Sequence, residues 1–405
     1  MADQTVAVLF GGRSVEHEVS VITGHQIMDA VKAAGYRVLP IYLTKDGEWY
    51  AGDSLHNLQL FTDPAGEPIS APGVYRVSLS PDRSIRQLII HPNARQGLFR
   101  KPPVLWADVF FPSLHGTFGE DGALQGLFEL ADVPYVGAGV AASAIAMDKA
   151  LAKVICRGAG IPVLDWLVLS RHEWESDNAG ALEHIERFCS YPIIVKPVSL
   201  GSSIGVRRCG NQQSLREAIA TALVLDDRVL IERALSDFIE INCAVMGPPE
   251  QVSVCEQPLT KDAILSFDAK YKSGGKGVKQ TEKPGGMASL DRIIPAPIAA
   301  DLIQRVQGYA IQAFRAIGAA GTSRIDFLFQ PTQEVLYLNE INSLPGSLAF
   351  YLWEASGLPF DQLADKLIAI ALARHAVRAH TQFSFEVNLL RRKVEPASMS
   401  APRRA

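Results

Sequence analysis

Ser323-Arg324-Ile325-Asp326-Phe327-Leu328-Phe329 and Val335-Leu336-Tyr337-Leu338-Asn339-Glu340-Ile341-Asn342 are the most informative runs of this chain. Both are rich in the residues of strands, and Gln330-Pro331-Thr332-Gln333-Glu334 between them supplies a hairpin turn. Side chains two apart in a strand share a face. Glu340 therefore points with Asn342, and Arg324 with Asp326. A hairpin brings these four polar groups onto one surface, beside Leu328, Leu336 and Leu338. Hard oxygen donors with an arginine alongside suit Mg²⁺ and transferring phosphates. Charged residues at strand ends are also simply solvated, and the hairpin by itself leaves both readings open.

Working outward, 405 residues suffice for two or three domains and a large core. With 48% hydrophobic residues, 20% charged residues and a formal net charge of −4, the composition is that of an ordinary globular protein. The basic residues are dispersed rather than striped, which argues against a nucleic-acid partner. No apolar run approaches the roughly 18–20 residues that span a bilayer, so no membrane partner is expected. The chain enters a strand at Val6-Ala7-Val8-Leu9-Phe10 with no basic segment or cleavage site before it. No signal peptide is expected, and the location is read as cytoplasmic. Cys156, Cys189, Cys209, Cys243 and Cys255 form no C-x-x-C pair. An odd number without an export signal points to small buried hydrophobes rather than disulfides, nucleophiles or ligands.

The N-terminal part alternates strand and helix. After residues 6–10 come Gly11-Gly12, a helix to about Ala34 stopped by Gly35, and a strand over Arg37–Leu43. This is the start of an open α/β sheet. Residues 46–103 are irregular, with a short strand at Leu88-Ile89-Ile90 that reads as an elaboration of the same domain. Val109-Phe110-Phe111-Pro112 completes that domain near residue 140. A helix is predicted through Met147-Asp148-Lys149 to Gly158, then strands around residues 166–169, 193–195 and 229–231. A helix over about 360–374 follows the hairpin, and the last stretch reads as a frayed tail.

Several loops have the composition of ligand sites. Gly201-Ser202-Ser203-Ile204-Gly205 follows Lys196-Pro197, and such a loop lets backbone N–H groups approach phosphates. It lacks the Gly-Lys-Ser/Thr ending of a Walker A loop, and a plain turn is the other reading. Val229-Leu230-Ile231-Glu232 ends an apolar strand in a carboxylate, with Glu240 beyond it; this suits an adenosine edge or a linking strand. His115-Gly116-Thr117-Phe118-Gly119-Glu120-Asp121-Gly122 leaves a strand end where open α/β sheets bind ligands, and is otherwise a Gly-rich turn. Glu16 could hold a substrate ammonium, or Glu16 and Glu18 could serve the first turn of a helix. Phe267-Asp268-Ala269-Lys270-Tyr271 precedes a glycine-rich segment at 272–287, the composition of a closing loop or of a surface insertion.

In this order, the motifs resemble the D-alanine–D-alanine ligase family of the ATP-grasp superfamily. The resemblance spans about residues 5–375. It rests on Gly-Gly-Arg-Ser-Val-Glu-His-Glu-Val-Ser at 11–20, Leu-His-Gly-Thr-Phe-Gly-Glu-Asp-Gly at 114–122 and Met-Asp-Lys at 147–149. Lys-Pro-Val-Ser-Leu-Gly-Ser-Ser-Ile-Gly at 196–205, Ala-Lys-Tyr at 269–271, Arg-Ile-Asp at 324–326 and Asn-Glu-Ile-Asn-Ser-Leu-Pro-Gly at 339–346 complete it.

The resemblance implies an α/β ATP-grasp fold of three domains: 1–139 for substrate, 140–235 and 236–380 as the two ATP-grasp halves, and 381–405 as a tail. It implies ATP-dependent joining of two D-alanine molecules for peptidoglycan, through an acyl phosphate, by a homodimer. It also implies roles. Asp326, Glu340 and Asn342 would hold two Mg²⁺ ions, with Mn²⁺ able to substitute. Lys149 and Lys196 would meet the phosphates, with Ser203 in the same loop, and Glu232 and Glu240 the adenosine. Arg324 and the Gly346 N–H would stabilise the tetrahedral oxyanion. Glu16 would bind the first ammonium, with His115 near that substrate's carboxylate. Ser202 and Tyr271 would link to Glu16, and Lys270 would come over the phosphate.

Two departures stand out. Where many relatives continue Pro-Gly with Met-Thr and a serine for the second substrate's carboxylate, this chain has Ser347-Leu348-Ala349-Phe350-Tyr351. Ser347 and Tyr351 are the donors left for that task. The Glu232-to-Glu240 spacing is also one residue longer than usual. A ligase making D-Ala–D-Ser or another dipeptide, and an inactive nucleotide-binding homologue, are the rival readings.

Overall fold

The computed structural model describes residues 4–92, 103–259 and 291–384. Lys270, Tyr271, the segment after them and most of the predicted tail lie outside the described residues. Three sheets carry the architecture.

The first is built around β1 (Thr5–Gly11), whose Val6, Ala7, Val8, Leu9 and Phe10 are fully buried. An unbroken apolar run is what a strand covered on both faces requires. It pairs in parallel with β2 (Arg37–Leu43) and β6 (Val109–Pro112). The irregular stretch contributes β3 (Trp49–Ala51), β4 (Tyr75–Ser78) and β5 (Ile89–Ile90), which extend this sheet antiparallel in the order β5-β4-β3-β2-β1-β6. Helix α1 (His17–Ala33) lies close on β1: a Cβ on Gly24 would stand 2.4 Å from the Phe10 Cβ and 3.0 Å from Ser113 Oγ.

The second sheet, β7-β10-β8-β9, comprises β7 (Trp166–Ser170), β8 (Ile193–Pro197), β9 (Arg207–Cys209) and β10 (Arg228–Arg233), all antiparallel. Leu182 and Ile185 of one helix and Leu215, Ile219 and Leu223 of another cover one face. The predicted helix through Asp148 is two helices, Val140–Met147 and Lys149–Gly158, because Asp148 is extended (φ −84°, ψ 100°).

The third sheet has the order β13-β12-β11-β14-β15. Its strands are β11 (Ile239–Gly247), β12 (Gln251–Pro258), β13 (Arg292–Ile293), β14 (Gly321–Gln330) and β15 (Val335–Asn342). The last two are the hairpin, with Arg324 opposite Asn342 and Asp326 opposite Glu340. Phe327 then faces Leu338, so Asn339 is an extra residue, a β-bulge. The bulge corrects one expectation. Beyond it the alternation of β15 reverses, and Leu336 and Leu338 join Phe327 in the core beneath helix Ala300–Ala316 instead of lying beside the four polar groups. Leu328 remains on the cleft side, with Asn339.

The chain then returns to its beginning. Helix Phe360–Ala379, which runs past the expected end at Arg374, packs Leu363, Leu367 and Ile368 against Ile27, Met28 and Val31 of α1. Tyr36 Oη donates to Asp365 Oδ1 at 2.7 Å. Cys156, Cys209, Cys243 and Cys255 are buried free thiols, and Cys189 is half-buried and free. No helix among the described residues is long and apolar enough to cross a membrane.

The contact beneath Gly24 yields a prediction. Gly24→Ala forces α1 away from Phe10 and costs about 1–3 kcal/mol, exceeding the gain of up to ~1 kcal/mol in helix propensity. Urea unfolding should show a lower midpoint at unchanged slope; a higher midpoint would refute the close packing.

Candidate active site between the sheets

A cleft of about 970 Å³, its open mouth included, separates the four-stranded and five-stranded sheets. Lys149, Lys196, Ser203, Glu232 and Glu240, the residues assigned to the nucleotide, all line it, with Asn339 and Glu340. The break at Asp148 explains the aim of Lys149. Asp148 Oδ1 accepts from the Leu151 N–H at 2.8 Å and so caps the helix that Lys149 begins. Arg228 Nη2 anchors the same carboxylate to β10 at 2.7 Å. The Lys149 ammonium donates to the Leu200 carbonyl, and burial pulls it below the usual ammonium range.

At the floor of the cleft, Glu232 lies 2.6 Å from Lys196 Nζ and 2.9 Å from Lys153 Nζ. Burial would push this carboxyl up, but the Lys196 and Lys153 ammoniums override it and hold it at about 2. Lys196 also reaches Asn339 Oδ1 at 3.3 Å. The residues assigned separately to phosphate and adenosine are thus bonded to one another. Lys153 and Asn339 were not singled out in the sequence. The signal for Lys153 was its i,i+4 spacing from Lys149 on one helix face; for Asn339 it was a third polar residue interrupting the alternation of β15.

A smaller cavity adjoins, lined by Glu16, His115, Glu120, Ser202, Arg324 and Gly346, with Glu340 and Asn342. Glu16 sits between glycine backbones: a Cβ on Gly116 or Gly201 would stand 2.7 Å or 3.1 Å from its Oε2. Ser202, in the left-handed conformation at φ 54°, donates to Glu16 Oε1. Arg324 grips Asp326 through two bonds of 2.7 Å, and Asn342 Nδ2 donates to Asp326 Oδ2 at 3.0 Å. Burial would lower the Arg324 guanidinium, yet Asp326 holds it well above its usual range.

His115 is pushed down to about 4 by burial, which leaves the ring neutral. Glu120, four-fifths or more shielded in this pocket, is pushed up to about 8 by burial and by the Glu16 carboxylate. Its oxygens accept from the Gly116 N–H at 2.7 Å and the Leu344 N–H at 3.2 Å. The sequence reading passed over Glu120, although it stands in the same loop as His115.

Ser347 and Tyr351 do not line this cavity. Ser347 is buried, and its N–H meets Thr23 Oγ1 at 3.3 Å. Tyr351 donates to Glu256 Oε1 at 3.2 Å beneath the Arg292 guanidinium, 3.8 Å from its ring centre, and burial and Glu256 push it up to about 12.

Among the described residues no group of three His, Cys, Asp or Glu is placed to hold a metal ion. Asp326, Glu340 and Asn342 instead offer two carboxylates and an amide oxygen from register pairs on either side of Ile325–Ile341. Such hard donors fit Mg²⁺, which keeps part of its shell for water and phosphate.

The buried Glu232 group also yields a pH prediction. A carboxyl held at about 2 contributes stability that is present above its ordinary value and lost as pH falls from about 4.5 towards 2. Lys153→Met should lower stability at pH 7 by about 1–3 kcal/mol, and its deficit should shrink below pH 4. Denaturant melts from pH 7 to pH 3 test this, and a deficit independent of pH would refute the pairing.

Residues 5–138 match the family described as D-ala D-ala ligase N-terminus, and residues 155–369 the one described as D-ala D-ala ligase C-terminus. The chain is 36% identical over 391 residues to the D-alanine–D-alanine ligase of Thermosipho africanus, covering 96% of this chain and 99% of that one. It is 39% identical over 382 residues to that of Heliobacterium modesticaldum, covering 93% and 96%. Among solved structures, the D-alanine-D-alanine ligase of Coxiella burnetii superposes with a TM-score of 0.73 at 29% identity, covering 94% and 97%. The VanG D-Ala:D-Ser ligase of Enterococcus faecalis gives 0.73 at 30% identity, covering 91% and 99%. With an ATP-grasp fold, and with matches that run through both halves of the chain, this protein belongs to the D-alanine–D-alanine ligase family.

Proposed function

We propose that this enzyme joins two molecules of D-alanine into the dipeptide used for peptidoglycan, with ATP converted to ADP and phosphate. The observation that carries the reading is the position of Glu340, which lines both the large cleft and the small cavity. A triphosphate in the first and a carboxylate in the second would meet at the polar face of the hairpin. Transfer of the γ-phosphoryl group to the first D-alanine's carboxylate gives an acyl phosphate. The second D-alanine's amine attacks that carbonyl, and the tetrahedral intermediate collapses as phosphate leaves.

The chain's own groups supply placement and charge. Lys149 and Lys196 face the phosphates, with Ser203 beside them, and Glu240 the ribose end of the cleft. Glu16, fixed by Ser202, receives the first ammonium, while neutral His115 lies near its carboxylate. Arg324 and the Gly346 N–H stand over the developing oxyanion. Asp326, Glu340 and Asn342 would hold two Mg²⁺ ions, replaceable by Mn²⁺, whose charge would offset that of the triphosphate. Domain boundaries at 139, 235 and 380, a homodimer and a cytoplasmic location complete the proposal. Lys270 and Tyr271 keep the roles that the family resemblance implies.

A D-Ala–D-Ser product is the second reading. The departure at 347–351 keeps it open, because neither Ser347 nor Tyr351 lines the cavity as a donor to the second substrate.

Release of ADP and phosphate with Mg²⁺-ATP, and mass spectrometry of the product from D-alanine alone or with D-serine or D-lactate, separates these readings. D-Ala–D-Ala is the expected product; turnover only with a mixed pair moves the assignment to the second reading. Asn342→Ala should lower kcat by about 10²-fold or more, and unchanged turnover would remove it from the metal site.

A further inference from the structure

The turn Leu344-Pro345-Gly346-Ser347 is held from outside. From its last residue onward three non-glycine residues lie in the left-handed region, Ser347 (φ 51°), Leu348 (φ 55°) and Ala349 (φ 50°). That conformation costs an L-residue roughly 1–2 kcal/mol, so the surroundings must impose it. The Leu348 N–H closes on the Pro345 carbonyl at 2.8 Å. The polar groups at the two ends of the turn go to side chains of the N-terminal sheet region instead. Glu120 Oε1 takes the Leu344 N–H at 3.2 Å, and Thr23 Oγ1 takes the Ser347 N–H at 3.3 Å. Thr23 Oγ1 also lies 3.0 Å from His115 Nε2. The Leu344 backbone also faces the imidazole and raises its pKa against the lowering by burial.

These contacts have a direction. A buried neutral imidazole has one N–H and one lone pair. With Nε2 on Thr23, Nδ1 is the nitrogen left to face the Leu344 carbonyl, which can only accept, and this places the proton on Nδ1. Nε2 then accepts, so the Thr23 hydroxyl donates to it and uses a lone pair for the Ser347 N–H. The bonded groups run from the Ser347 N–H to Thr23 Oγ1 to His115 Nε2, and they tie the turn that presents the Gly346 N–H to the imidazole. Thr23 is buried at 1% exposure, beside the Gly24 contact that brings α1 onto the sheet.

We propose that Thr23 is a positioning residue: its hydroxyl sets the tautomer of His115 and the orientation of the Gly346 N–H towards the tetrahedral oxyanion. The proposal rests on the ligase reading above.

Thr23→Val keeps the shape and removes the hydroxyl, whereas Thr23→Ser keeps the hydroxyl. With D-alanine and Mg²⁺-ATP, Thr23→Val should lose about 10- to 100-fold in kcat, the scale of a displaced catalytic group. KM for ATP should stay within about twofold, and Thr23→Ser should recover most of kcat. ¹⁵N spectra of the wild-type protein, with the His115 signal identified by its loss in His115→Gln, should show the proton on Nδ1. This last measurement holds even if Thr23→Val fails to fold. An active wild type with an unimpaired Thr23→Val, a Thr23→Ser as impaired as the valine variant, or a proton on Nε2 would each overturn the role of Thr23 alone. A wild type that forms no dipeptide overturns the functional reading and this inference together.

Discussion

Everything in the site hangs on the register of one hairpin. Pairing Arg324 with Asn342 and Asp326 with Glu340 puts four polar side chains on one face, while Ile325 and Ile341 occupy the other and join the core. A strand has only two faces, so the bulge at Asn339 is what lets β15 serve both ends of its length. On one side of it Glu340 and Asn342 face the site; on the other Leu336 and Leu338 still reach the core. Without that extra residue, one of the two sets would face the wrong way.

The charges around this hairpin are mostly satisfied within the protein. Asp326 is gripped by Arg324, and Glu232 lies between two lysines. Isolated, either carboxylate would be costly at such burial; each instead has a cation beside it, and the two lysines hold Glu232 at about 2. Glu120 and His115 are the opposite case. Burial and the neighbouring Glu16 favour the protonated acid on one, and burial favours the neutral ring on the other. The small cavity therefore combines the Glu16 carboxylate with a reluctant acid, which accepts from the Leu344 N–H, and a neutral imidazole. Electrostatic placement of this kind suits a reaction in which charge builds on a carboxyl oxygen.

How much of this was legible beforehand can be judged residue by residue. The strand β1, α1, β2 and the hairpin were readable because their periodicity and punctuation are local. The large cleft gathers Lys149, Lys196, Ser203, Glu232 and Glu240, and the small cavity gathers Glu16, His115, Ser202, Arg324 and Gly346. Strands β11 and β12 were missed, as were Lys153, Glu120 and Thr23. Lys153 and Glu120 stand beside residues that were read, but the partners that give them and Thr23 their roles, Glu232, Leu344 and Ser347, lie far away in the chain. The break at Asp148 was missed for a related reason: its capping bond is local, but its anchor, Arg228, is not.

By itself, then, the amino-acid order determined which residues carry hard oxygens, ammoniums and glycines, and at what spacing along their own strands and loops. Those are properties of short stretches, set by backbone periodicity and side-chain chemistry. Which groups meet depends on the folded chain. Lys196 meets Glu232 because β8 pairs with β10, and Leu344 meets Glu120 across 224 positions of chain. It also decided which side of β15 turned inward, since a single bulged residue reverses alternation that the sequence leaves continuous. Burial completed the site, because the shifts at His115, Glu120 and Glu232 come from losing water and gaining a particular neighbour, and both depend on folded packing.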